Sequence, residues 1–138
     1  MKKIILSLSA LLIFSQHGLA GEKEVIEQAN SYKHQKALYH VLLCEIEMKY
    51  HSKDGDASVC INAAKSIIKG ENLGVLSKDK QNFIVESYLN AGLIYDETGD
   101  DLNGYKYYMK AANLGGSNGI QAQNNLNLMC KENPWACK

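Results

Sequence analysis

The sequence predicts an all-α protein, a stack of antiparallel helix hairpins stapled by disulfides. Three observations carry that expectation. The single proline, Pro134, leaves the segments before it free of helix breaks of that kind. No run alternates polar and apolar residues as a strand would. Apolar residues recur instead at helical spacing, between short polar or glycine-bearing breaks.

The front of the chain reads as a secretory signal peptide. Lys2 and Lys3 give a positive start, Ile4 to Phe14 is an apolar run broken only by serines, and "HGLA" (17–20) offers small residues for cleavage after Ala20. The run is too short to span a bilayer as an ordinary helix. No cysteine follows it, which argues against lipid attachment there, and no later stretch reads as a membrane span. The expectation is therefore a bacterial signal peptide, 1–20, and one helical domain, 21–138, exported to the periplasm or beyond.

The helices follow in order. The first is predicted from Glu22 to about Tyr50, with Val25, Ile26, Ala29, Tyr32, Ala37, Val41, Cys44 and Met48 as its apolar positions. "HSKDGD" (51–56) ends it. A second is predicted over Ala57–Lys69, broken by "GENLG" (70–74), and a third over Lys78–Glu97. A fourth spans Asp101–Leu114, with Asp100 as its cap and Gly115-Gly116 as a left-handed stop. The last runs from Asn118 to Glu132.

Charge narrows the partners. Cleavage after Ala20 removes two of fifteen lysines and leaves fifteen carboxylates, a net charge near −2. The chain has no arginine, the group best suited to bidentate phosphate and guanine contacts. Nucleic acid is not an expected partner.

Two stretches repeat. "GDASVCINAAKSIIKGENLG" (55–74) and "GDDLNGYKYYMKAANLGG" (99–116) share an opening Gly-Asp and a closing Asn-Leu-Gly, offset by 44 residues at the front and 41 at the back. That period suits a two-helix repeat. Residues 88–129 resemble a Sel-one-like repeat, a relative of the tetratricopeptide repeat. The resemblance rests on Gly92, Tyr95, Asp100, Tyr107-Tyr108, Lys110-Ala111-Ala112, Gly115, Ala122 and Leu126. Ala91 stands where that family has Leu, and Tyr107 where it has Trp. The resemblance implies an α-solenoid in which small residues let helices approach closely while Tyr95, Tyr108 and Leu126 fill the spaces between. Tyr88, Tyr95, Tyr107 and Tyr108 are expected in its core.

Four cysteines in an exported chain imply two disulfides, and three connectivities are possible. Cys44 and Cys60 are symmetric about position 52 in the "HSKDGD" turn, so they share a height on two antiparallel helices. Cys130 and Cys137 flank Pro134, which lets the tail fold back. The pairs 44–60 and 130–137 are expected, with Trp135 covering the open end of the stack. Cysteine-rich Sel-one-like proteins staple paired helices in a similar way.

Catalytic and metal chemistry find little support. His40, Cys44 and Cys60 could hold a metal, but an oxidising compartment favours the disulfide and no fourth ligand stands out. No metal or other cofactor is expected. No nucleophile elbow, phosphate loop or His-Glu-x-x-His occurs. "DETGDD" (96–101) lacks calcium-loop spacing and reads as a solvated turn with a helix cap. Candidate partner-binding residues are Tyr39, Tyr50 and His51, which the repeat does not claim for its core, and the acidic Asp96, Glu97 and Asp100, which suit a partner with a basic patch.

The expected function is protein binding without catalysis. Small exported proteins resembling this one commonly serve as immunity proteins against type VI secretion effectors, often phospholipases. A periplasmic adaptor or envelope-assembly scaffold fits the same features. A β-lactam-binding hydrolase is the enzymatic alternative, because some Sel-one-like proteins are associated with that activity. Ser-x-x-Lys occurs at Ser66–Lys69 and Ser77–Lys80, without the partner motifs such catalysis needs.

Overall fold

A computed structural model describes residues 21–137. Among them are six α-helices and no strand: α1 (Glu22–Asn30), α2 (Lys36–His51), α3 (Ser58–Ile68), α4 (Lys80–Glu97), α5 (Asp101–Leu114) and α6 (Gly116–Glu132). Short 3-10 turns at Gly74–Asp79 and Pro134–Cys137 precede α4 and follow α6. The expected signal peptide lies outside the described residues. No helix among those described is long and apolar enough to cross a membrane.

Each helix packs on the next, and the contacts that join them run antiparallel. Glu22 meets His51 across α1 and α2, and Cys44 is bonded to Cys60 across α2 and α3. Tyr108 reaches Asp96 across α4 and α5, and Gly119 lies under Ala111 across α5 and α6. Helix α4 is central. It packs on α2, α3, α5 and α6, and Phe83, Val85, Leu89, Ala91, Leu93 and Ile94 are buried along it. A helix apolar nearly all round is one enclosed by neighbours.

Both disulfides are the expected pairs. Cys44–Cys60 joins α2 to α3 at a Cα separation of 4.6 Å, and Cys130–Cys137 ties the tail to the end of α6 at 5.7 Å. The first is fully buried. Asn90 on α4 points its Nδ2 at Cys44 Sγ, 3.7 Å away. Glu45 and Glu86 are buried nearby in sequence on α2 and α4, and neither is without a partner.

The long first helix is corrected by the structure. A turn over residues 31–35 folds α1 back on α2, held by Ser31 Oγ donating to the Gln28 carbonyl at 2.6 Å and by Gln35 N donating to the Tyr32 carbonyl at 2.8 Å. Ser31 supplies a local acceptor-and-donor alternative to the helix ladder, and no glycine or proline marks the place. The start of α2 is capped from far away. The Asn72 carbonyl accepts from Ala37 N at 3.0 Å and Leu38 N at 3.2 Å, two of the donors a helix start leaves unpaired.

The other boundaries lie close to expectation. Asp100 caps α5, accepting from Asn103 N at 3.2 Å and Asn103 Nδ2 at 2.8 Å. Gly115 and Gly116 have φ of 80° and 76°, the positive region an ordinary side chain avoids. Trp135 does not cover the end of the stack. It is 58% exposed, and Ala136 turns inward in its place.

Candidate functional site: a groove over α4

Tyrosines 107 and 108 are adjacent on α5, so about 100° of helical rotation separates them and they cannot share one environment. Tyr108 enters the core, fully buried, and donates its hydroxyl to Asp96 Oδ2 at 2.8 Å. Burial and the Asp96 carboxylate hold its pKa far above the ordinary phenol range. Tyr107 turns to the half-exposed face instead, as do Tyr88 and Tyr95 on α4. All four pack in or against the core, as expected, but only Tyr108 is fully buried.

The three half-buried rings form a ladder along the α4–α5 hairpin. Tyr95 stacks on Tyr107 at 5.7 Å between centroids, and Tyr107 meets Tyr88 at 6.0 Å. Aromatic pairs at such distances contribute about 0.5–1.5 kcal/mol beyond the area they bury. Lysines cover the ladder. Lys110 Nζ lies 5.5 Å from the Tyr88 centroid and 6.0 Å from that of Tyr107, and Lys106 Nζ lies 5.5 Å from Tyr107. Burial raises the pKa of Tyr88 and Tyr95, with Tyr107 adding to it.

One end of this ladder opens into a cavity of ≈ 410 Å³. Helix α4 is its floor, with Gln81, Ile84 and Tyr88. Helix α3 contributes Ile68 to one wall, and α5 contributes Lys110, Asn113 and Leu114 to the other. Such a volume lies within the ordinary range of about 300–1,000 Å³ for ligand-binding clefts. Ile68 is 60% and Leu114 43% exposed. Covering each is worth on the order of 1 kcal/mol. The lining carries a cation, two amides and no carboxylate.

The residues singled out in the sequence are not gathered in one place. Tyr39 sits on the first turn of α2, half-buried, with its hydroxyl 3.4 Å from Asn30 Oδ1 and Lys33 over its ring. Tyr50 and His51 lie at the far end of α2, about 16 Å along the axis. Tyr50 is half-buried against the core with Lys49 over its ring. His51 contacts Glu22 through Nε2, and its Nδ1 lies 3.7 Å from Asp54 Oδ1. The Glu22 hydrogen bond raises the His51 pKa, burial opposes it, and the charges of Glu22, Glu47 and Asp54 add to the rise.

The acidic turn serves the fold. Asp96 takes the Tyr108 hydroxyl, Asp100 caps α5, and Asp101 accepts from Asn133 Nδ2 at 2.9 Å. Glu97 is exposed. His40 stands on α2, where burial lowers its pKa, while the sulfurs of Cys44 and Cys60 are bonded to each other. Of the two serines in the Ser-x-x-Lys strings, Ser66 is buried on α3 and Ser77 is exposed in the 3-10 turn before α4.

Sequence reasoning missed the groove because its signal is ambiguous. Gln81, Ile84, Tyr88 and Tyr95 follow helical spacing, as core positions do, and periodicity cannot tell a covered stripe from an open one. Lys110 at the matching height on α5 was the available clue. Comparison with known proteins adds no relative: no family model, no curated protein and no solved structure matches the chain.

Proposed function

We propose that this protein is an exported protein-binding module, a helical-repeat stack of the Sel-one-like and tetratricopeptide kind, that engages its partner through the groove over α4. The observation that carries this reading is the groove itself. It combines exposed Ile68 and Leu114, an aromatic ladder, and a lysine without a counter-ion among the described residues. Aromatic anchors in a partly desolvated pocket are the usual centre of a protein interface. Two disulfides in a small helical domain suit an oxidising compartment such as the periplasm.

The particular role we infer is immunity: the protein binds and neutralises a secreted antibacterial effector of the type VI, phospholipase kind. A rigid, cross-linked stack suits an inhibitor that covers an active site, since preorganisation lowers the ordering cost of binding. A periplasmic adaptor would use the same surface. The test is affinity purification from the native periplasm with wild type and with Tyr88→Ala. The reading expects one dominant protein, lost with Tyr88→Ala, whose toxicity to cells is suppressed by co-expressed wild type. A non-toxic partner would favour the adaptor, and equal recovery of the partner by both forms would place the interface elsewhere.

A further inference from the structure

The cavity over α4 specifies what kind of segment it would take, an inference that rests on the protein-binding reading. Four of its lining residues, Ile68, Ile84, Tyr88 and Leu114, offer apolar or aromatic surface from all three helices. Gln81 on the floor and Asn113 at one wall each carry both a donor and an acceptor, the pair of functions a peptide group presents. The charge is of one sign. Lys110 is exposed, lies over two aromatic rings at the cavity, and forms no ion pair among the described residues. By contrast, Lys36 is paired with Glu71 at 3.3 Å.

An exposed cation over two aromatic rings, with no ion pair among the described residues and with apolar surface and two amides beside it, is complementary to a carboxylate next to an apolar side chain. The surroundings are mixed but mostly basic: Lys78 and Lys80 flank an exposed Asp79 just before Gln81, and further lysines stand on the other two helices. Lys106 stands over Tyr107 one turn before Lys110, and Lys65 is exposed one turn before Ile68 on α3. Of the acidic residues near the hairpin, Asp96, Asp100 and Asp101 lie at the opposite end of α4 and bond within the fold.

We propose that the groove between α3 and α5 takes an extended acidic-apolar segment of a partner protein, its apolar side chain entering the cavity between Ile68, Ile84 and Leu114 and its Asp or Glu carboxylate meeting Lys110. The carboxylate replaces water on the ammonium, while Tyr88 and Tyr107 keep the cation in place from behind. The amides of Gln81 and Asn113 bond the peptide backbone on either side.

The test is fluorescence anisotropy on the disulfide-intact chain with three dye-labelled hexapeptides. One alternates Glu with Leu and Phe, one has Lys for every Glu, and one has Ser for every Leu and Phe. The first is expected to bind, and the other two at least about tenfold more weakly. Lys110→Glu is expected to weaken the first peptide about tenfold or more, Lys110→Arg to retain it, and Val75→Ser, at a more exposed apolar residue outside the cavity lining, to leave it unchanged. Circular dichroism checks that each variant is folded. Equal binding of all three peptides, no binding of the first, or indifference to Lys110→Glu overturns the proposal. If a periplasmic partner is lost with Tyr88→Ala while these peptides fail, the protein-binding reading stands and this occupant falls.

Discussion

A Cβ built on Gly92 would lie 2.6 Å from Tyr108 Cδ1, so α4 carries no side chain where α5 seats its buried tyrosine. Tyr108 then reaches past the glycine to Asp96, one turn further along α4. The same device recurs between α5 and α6, where a Cβ on Gly104 would meet Met129 Cε at 2.9 Å and one on Gly119 would meet the Ala111 carbonyl at 3.0 Å. Close approach at these crossings fixes how α4, α5 and α6 pack on one another.

Gly92→Ala is therefore expected to destabilise the protein by about 1–3 kcal/mol, the cost of overpacking a filled core. Urea denaturation followed by circular dichroism measures it. Tyr108→Phe keeps the ring and loses the Asp96 hydrogen bond, at about 1 kcal/mol. Gly99→Ala is a useful contrast, because a Cβ there meets nothing within 4 Å while φ is +91°. It should cost about 1–2 kcal/mol through backbone strain alone.

The helices that build this packing were legible in the sequence where local chemistry agrees with the fold. Asp100 and the Gly115-Gly116 pair delimit α5 at Asp101–Leu114 as their types suggest. The 44–60 disulfide follows from two positions equidistant from one turn. The break before α2 was not legible, because Ser31 and a capping carbonyl from Asn72, some forty residues on, do the work that glycine or proline usually signals. The groove was not legible either. Whether Tyr88 and Tyr107 are covered depends on how far α3 and α5 diverge over α4, a tertiary fact with no local marker.

The contact between α1 and α2 should depend on pH. The Glu22 hydrogen bond lifts the folded-state pKa of His51 above its unfolded value of 6.5. Its contribution is then fully present below that value and is lost as pH rises through the folded pKa. Burial also raises the pKa of Glu47, with Asp56, Glu22 and Asp54 adding to it and His51 opposing. Its ionisation therefore costs stability in the same direction, starting from its unfolded value of 4.5. Stability should fall as pH rises through the His51 window, and His51→Gln should flatten that part of the profile. Proton NMR of the His51 ring checks the sign: an apparent pKa at or below 6.5 would contradict it.

The two disulfides should differ in their resistance to reduction. Cys44 and Cys60 are buried at 1% and 0% exposure, whereas Cys130 and Cys137 are half-buried near the tail. A thiolate reductant must reach a sulfur to attack it. Graded dithiothreitol followed by alkylation and peptide mass mapping should label Cys130 and Cys137 first. Replacing Cys44 and Cys60 together by Ala should cost about 2–5 kcal/mol, and the tail pair less, since its loop is shorter.

The groove over α4 is the claim on which the functional account turns, and site-specific photo-crosslinking in the native periplasm tests it most directly. A photoreactive phenylalanine is placed at Tyr88, at Leu114, or at Val75 as a control outside the groove. The account predicts one and the same protein adduct from positions 88 and 114, absent from position 75 and suppressed by Lys110→Glu. Adducts from position 75 alone, or the same adduct from all three positions regardless of Lys110, would contradict it.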